Sequence, residues 1–183
     1  RVDASVSNGI LSTAIEYHVS AIIMGWSGES SFYKTVFGRM LDEVIWNSTV
    51  PVLVGRLTSP ITSKQRVLLV IPTNSLRTHL VQEAIEAALL TAQAIEIPLK
   101  ILIAGQYKGD LIKLDDDGSV ELDMEQLSGD VVGNVIELAQ PSDLLILATF
   151  GSQRRFQSSL GRIPEEIAER TTASLIVIRF PSV

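Results

Sequence analysis

The chain has 183 residues, of which 46% are hydrophobic and 20% are charged, and its net charge at pH 7 is −6. A negative charge argues against a protein that binds along a nucleic acid backbone, because such a surface must be positive. Without cysteine the chain has neither disulfides nor thiolate metal sites, which fits a reducing, cytoplasmic compartment. No apolar run approaches the roughly 20 residues of a membrane-spanning helix.

The first half of the chain has the pattern of a helix followed by a βαβ unit. The first helix is capped by Ser7 or Asn8 and ends near His18, with its apolar residues at helical spacing. The βαβ pattern has four segments: an apolar strand at 21–24, a polar glycine loop that ends at Gly38 and Arg39, a helix at 40–47 and a β-branched strand at 50–54. A linker follows over 57–65, where Ser, Thr and Pro separate two periodic segments.

The second half is longer than the first. Its segments are a strand at 66–71, a helix at 76–94, a strand at 99–104, two short strands around an Asp-Gly turn within 105–124, a helix at 129–139 and a final βαβ unit. The acidic run at 115–117 before Gly118 lacks the alternating ligand spacing of an EF-hand loop. It therefore predicts a solvated turn and no calcium site.

An internal repeat relates the two halves. Residues 21–56 align with 144–179 without a gap when the numbering is shifted by 123. The matched pairs are Gly28 and Gly151, Gly38 and Gly161, Arg39 and Arg162, Glu43 and Glu166, and Arg56 and Arg179. The strand, helix and strand at the start of the second repeat have no counterpart before Arg1. We therefore expect the back part of one repeat at 1–60, a nearly complete repeat at 61–183, and a longer parent protein.

The glycine loop of the first repeat resembles that of the universal stress protein family. Gly25, two residues, Gly28, nine residues and Gly38 follow the family's nucleotide-loop pattern, and the flanking strands MG and VPVLV are similar as well. The resemblance implies an α/β, Rossmann-like fold of the adenine nucleotide alpha hydrolase type, here as a tandem repeat with a truncated first copy. Its five-stranded parallel sheet would carry helices on both faces and bind nucleotide outside the carboxyl ends of the strands.

The resemblance also implies candidate nucleotide-binding residues in each repeat. Glycines let the backbone approach a phosphate, and the following helix offers amide donors. In the first repeat the candidates are Gly25, Gly28, Gly38 and Arg39, and in the second they are Pro72, Thr73, Asn74, Ala104, Ala148, Gly151, Gly161 and Arg162. The implied ligands are ATP, ADP or AMP, with magnesium accompanying ATP.

Several positions depart from the family pattern. Arg39 and Arg162 stand where the family's ATP binders carry Ser or Thr, Ala148 replaces a glycine, and Asn74 replaces an aspartate. Each of the two sites is therefore incomplete in a different way.

Two interpretations compete for Arg39 and Arg162. As ligands, they would donate charge-assisted hydrogen bonds to an anion. As structural residues, they would pair with Glu43 and Glu166 one helical turn later. The pattern favours the structural interpretation, because a cation at a helix N-terminus needs a counter-charge.

The sequence indicates a binding module rather than an enzyme. It contains no evident nucleophile–base pair, catalytic carboxylate pair or metal constellation, and Trp26 and Trp46 are expected to pack or to lie at an interface. The resemblance implies a non-catalytic domain that senses adenine nucleotide. Its two repeats would form an intramolecular pseudo-dimer through their last strands, or the chain would form a homodimer.

The two halves also look similar to the cytoplasmic tails of bacterial cation/proton antiporters, in which tandem modules of this family occur. The chain would then meet the membrane only through a covalently attached transporter and regulate it. One alternative is a free-standing tandem universal stress protein that binds and slowly hydrolyses ATP. Another is a structural dimerisation module with inactive pockets.

Overall fold

The computed structural model describes residues 5–26, 31–72, 78–105, 118, 120–150 and 160–181, with the backbone alone at 31–38, 72 and 78. Helices and strands alternate through most of this part of the chain. The helices are α1 (Val6–Glu16), α2 (Ser31–Asn47), α3 (Thr78–Ala94), α4 (Val131–Leu138) and α5 (Arg162–Arg170). The strands are β1 (Ile22–Gly25), β2 (Val52–Arg56), β3 (Arg66–Pro72), β4 (Leu99–Ala104), β5 (Leu122–Leu127), β6 (Asp143–Phe150) and β7 (Ser174–Phe180).

The seven strands form one sheet in the order β1-β2-β7-β6-β3-β4-β5. All neighbours within the second repeat, from β7 to β5, are parallel, which confirms the predicted α/β fold. Strands β1 and β2 are also parallel to each other. In contrast, β2 pairs antiparallel with β7, with Val54 opposite Val177. The last strands of the two repeats therefore join them within a single sheet, as the sequence predicts.

Each face of the sheet carries its own hydrophobic core. On one face the sheet packs against Val44 of α2, Val135 of α4 and Ile167 of α5, with α1 at the margin. On the other face it packs against α3 through Leu80 and Ile85. Strands covered on both sides must be apolar at successive positions, which explains the unbroken apolar runs of β3, β4 and β6.

Helix α2 corrects the prediction for the first glycine loop. The helix begins at Ser31 and not at Met40, so Gly38 and Arg39 lie inside it and not at the end of a loop. The sequence explains this, because Tyr33, Phe37, Met40 and Val44 follow the i, i+4, i+7, i+11 spacing of one continuous helix. An interior glycine costs such a helix only about 1 kcal/mol.

The predicted strand pair after β4 is also corrected. Strand β5 pairs parallel with β4, with Ile101 opposite Met124, and is the outer strand of the main sheet. The Nζ atom of Lys100 on β4 lies 2.9 Å from Asp123 Oδ2 and 2.7 Å from Glu125 Oε2, so opposite charges support this pairing. The first predicted strand and the acidic run at 115–117 lie outside the described residues.

Helix α1 begins earlier than predicted, because Ser5 is its N-cap. The Ser5 hydroxyl accepts a hydrogen bond from the Asn8 amide at 3.2 Å, and the helix ends at Glu16. The predicted cap Ser7 is instead buried, and its hydroxyl donates to the Glu43 carboxylate of α2. This side chain therefore ties α1 to α2.

Strand β1 lies at an edge of the sheet, whereas its counterpart in the second repeat, β6, lies inside it. The side chain of Ile23 on β1 is 78% exposed, and the matched Ile146 on β6 is 2% exposed. The difference arises because Ile146 lies in the hydrophobic core beneath α3, whereas Ile23 belongs to neither core of the described residues.

We expect alanine substitutions at these two matched positions to have unequal effects. Ile146→Ala should lower the free energy of unfolding by about 2–5 kcal/mol because it leaves a cavity. Ile23→Ala should change it by less than about 0.5 kcal/mol, as is usual for an exposed side chain. Urea denaturation followed by circular dichroism measures both. An equal loss at Ile23 would mean that the β1 edge is covered in solution.

Candidate functional site

A cleft with a volume of about 1100 Å³ lies at the carboxyl ends of strands β3, β4 and β6. Strands β3 and β6 are neighbours, but the chain continues from β3 through α3 to β4 on one side and from β6 through α5 to β7 on the other. Diverging connections of this kind leave a crevice at the switch point of an open α/β sheet. Ligands bind such folds at this place.

The first turns of α4 and α5 form two walls of the cleft. Asp130 caps α4, and its carboxylate accepts a hydrogen bond from the Gly133 amide at 3.1 Å. Gly161 precedes α5 with φ 94° and ψ 154°, a conformation that is essentially restricted to glycine. The chain can therefore enter α5 beside the cleft only with a residue that lacks Cβ.

The structure brings together part of the predicted second-repeat site. Four predicted residues line the cleft: Ala104, Ala148, Gly161 and Arg162. Pro72 is the last residue of β3, and Thr73, Asn74 and Gly151 lie outside the described residues.

The first-repeat candidates occupy other places. Gly25 is the last residue of β1 and is exposed, with no atom within 4 Å of the position that a Cβ would take. Gly38 and Arg39 lie within α2, and Gly28 lies outside the described residues. None of these residues lines the second-repeat cleft as described.

Both candidate arginines pair with a glutamate one turn later. Arg162 Nε donates to Glu166 Oε1 at 2.8 Å, and Arg39 Nε lies 3.7 Å from Glu43 Oε1. The hydrogen bond to Glu166 raises the pKa of Arg162 above its ordinary value. The geometry thus matches the structural interpretation, while Arg162 also lines the cleft.

Sequence reasoning missed Arg179 and Trp46 as residues of this cleft. Arg179 lies near the carboxyl end of β7 and is 7% exposed, and its Cζ atom lies 5.5 Å from the ring centre of Trp46. Burial lowers the pKa of the Arg179 guanidinium. Trp46 belongs to α2, so a side chain of the first repeat reaches the cleft of the second. The available signal was a matched arginine at 56 and 179, at the end of each final apolar strand.

Both signs of charge line the cleft. Its described acidic residues are Asp130, Glu165, Glu166 and Glu169, and its described basic residues are Arg162 and Arg179. Within the described ranges, no three His, Asp or Glu side chains come together as a metal site would require. No helix in those ranges has the length and apolar character needed to span a membrane.

Comparison with known proteins points to one family. Residues 1–56 match the model of the universal stress protein family. Over 69 residues the chain is 39% identical to the Na(+)/H(+) antiporter NhaS5 of Synechocystis sp. (strain ATCC 27184 / PCC 6803 / Kazusa). This match covers 37% of the chain and 10% of the antiporter, so the chain spans only a small part of that relative.

Two solved structures have the same fold over 96% of this chain. A universal stress protein from Archaeoglobus fulgidus DSM 4304 superposes with a TM-score of 0.66 at 20% identity, with 65% of its own length covered. The cytoplasmic domain of a prokaryotic cation chloride cotransporter superposes with a TM-score of 0.64 at 9% identity, with 70% of its length covered. At these identities the likeness establishes the fold.

Gly161→Ala should destabilise the chain because of the backbone conformation at this position. Placing Cβ at φ 94° and ψ 154° should lower the free energy of unfolding by about 1–3 kcal/mol. The control is Gly55→Ala on β2, where a Cβ would make ordinary contacts of 3.8 and 3.9 Å and should cause no loss. Thermal and urea unfolding measure both variants. Equal stability of the two would contradict the assigned backbone conformation at Gly161.

Proposed function

We propose that the chain is a non-catalytic regulatory module that binds an adenine nucleotide. Residues 1–56 match the universal stress protein family model, and 96% of the chain superposes on a protein of that family. The binding site is the cleft at the carboxyl ends of β3, β4 and β6. One observation carries this proposal. The first turns of α4 and α5 meet at the switch point of the sheet and line the same cleft as Ala104, Ala148 and Arg162.

The cleft has the size and the donors that a nucleotide requires. Its volume of about 1100 Å³ slightly exceeds that of ordinary ligand sites, which run to about 1,000 Å³. A phosphate at the start of α5 would meet the backbone amides of Arg162 and Ile163, and Gly161 would leave room for its approach. The four carboxylates of the cleft repel a polyphosphate, so ATP should need magnesium more than AMP does.

We further propose that the module is attached to a cation/proton antiporter and acts on its cytoplasmic side. The 39% identity with part of an Na(+)/H(+) antiporter supports this attachment. The same fold also occurs as the cytoplasmic domain of a cotransporter. A nucleotide that binds one conformation of the module more tightly would shift the transport equilibrium by that difference in affinity.

The coding sequence upstream of Arg1 tests whether the module is attached to an antiporter. Several apolar segments of about 20 residues encoded upstream of Arg1 would support the antiporter proposal. A short soluble half-domain at that place would contradict it and favour the free-standing protein.

Calorimetric titration with ATP, ADP and AMP, with and without magnesium, tests nucleotide binding. We expect micromolar affinity and a loss of about tenfold or more in Arg162→Glu, which reverses a charge beside the phosphate. The matched variant is Arg39→Glu, which reverses the equivalent charge inside α2 and should leave the affinity unchanged.

The outcomes of this titration separate the candidate functions. A loss in Arg39→Glu and not in Arg162→Glu would place the ligand in the first repeat. The absence of any heat of binding at millimolar nucleotide would contradict the proposal and favour a structural module. The Arg–Glu pairs of both repeats are consistent with such a module. Phosphate release from bound ATP would support the hydrolytic alternative.

A further inference from the structure

Arg179 is a buried cation without a counter-charge among the described residues. Its side chain is 7% exposed and forms no hydrogen bond or ion pair with any of them. Arginine remains protonated in proteins even where, as here, burial lowers its pKa. A buried charge without a partner is unfavourable, and stacking on an aromatic ring compensates only part of the cost.

Arg179 also belongs to the residues that line the cleft. Arg179 lines it together with Trp46 and the first turn of α5. The other described cation of the cleft, Arg162, is exposed and already pairs with Glu166. Glu165 and Glu169 also line the cleft and have interactions of their own. Among the described cations of the cleft, Arg179 is therefore the one without an acidic partner.

The equivalent arginine of the first repeat provides an internal comparison. Arg56 also stacks on a tryptophan, with its Cζ atom 5.9 Å from the ring centre of Trp26. Its Nη2 atom donates to the Thr171 carbonyl at 2.9 Å, whereas its buried Nε atom has no hydrogen-bond partner among the described residues. Arg56 does not line the cleft. The same residue type thus has a protein partner in one repeat and faces a cleft in the other.

We propose that Arg179 binds a phosphate-type oxyanion at the inner wall of the cleft, and that Trp46 of the first repeat holds its guanidinium in position. The planar guanidinium fork matches two phosphate oxygens, and such bonds are strengthened where water is excluded. The anion site would then be built by both repeats. This inference rests on the proposed nucleotide function, in which the oxyanion is a nucleotide phosphate.

Titrations with adenosine, AMP and inorganic phosphate test the proposal on the 183-residue chain. Arg179→Gln should weaken AMP and phosphate binding about tenfold or more and leave adenosine binding unchanged. Arg56→Gln is the matched control and should leave all three affinities unchanged. If Arg179→Gln fails to fold, Arg179→Lys retains the charge without the fork and should still weaken AMP binding severalfold.

Tryptophan fluorescence tests the positioning role of Trp46 separately. In a Trp26→Phe background Trp46 is the single tryptophan, so its fluorescence reports on the cleft alone. Phosphate should change this fluorescence, and Arg179→Gln should abolish the change. Trp46→Ala should weaken phosphate binding, and Trp46→Phe should restore most of it because the phenyl ring retains the stacking.

The results separate failure of this inference from failure of the proposed function. Nucleotide binding that is equally tight in a folded Arg179→Gln or Arg179→Lys variant would overturn the inference and leave the function standing. Phosphate binding that depends on Arg179, with no gain in affinity from phosphate to AMP, would overturn the nucleotide function and retain the oxyanion site. No binding of phosphate or AMP to the unmodified chain would overturn both.

Discussion

The antiparallel pairing of β2 with β7 is the contact on which the rest of the structure depends. Val54 and Val177 face each other in this pairing and are fully buried, so the two repeats share one sheet and, on the face covered by α2, α4 and α5, one continuous core. Because α2 leads directly into β2, the pairing also sets this helix of the first repeat beside the carboxyl end of β7. The contact between Trp46 and Arg179 follows from that placement.

Much of the fold could be predicted because its signals are local. Buried parallel strands need unbroken apolar runs, and LLILA and LIVI mark β6 and β7 directly. The start of α2 differs from the prediction because glycine is a local signal for a loop, whereas the apolar spacing of the helix continues through Gly38. The parallel pairing of β5 with β4 was missed because an Asp-Gly turn is a local signal for a hairpin, whereas the ion pairs from Lys100 connect separate strands.

The candidate site also has a part that the sequence predicts and a part that it does not. Ala104, Ala148, Gly161 and Arg162 follow from the resemblance because they belong to segments with a characteristic spacing, and the structure places them on one cleft. Arg179 matches Arg56 in the internal repeat, but this match does not indicate that Arg179 lines the cleft. Its contact with Trp46 arises only when the last strands of the two repeats pair. A residue whose role depends on the packing of distant elements cannot be identified from its own segment.

The equivalent arginines of the two repeats, Arg56 and Arg179, lie in different environments, and this difference bears on regulation. Arg56 is bonded to the Thr171 carbonyl, which lies on the second repeat, and so helps to hold the repeats together. Arg179 stacks on Trp46 of the first repeat and lines the cleft, so an anion bound there as proposed would change its environment. Such a ligand would act on a contact between the repeats and not on one repeat alone. It would alter the packing of α2 if the two arrangements of that contact bound the anion with different affinities.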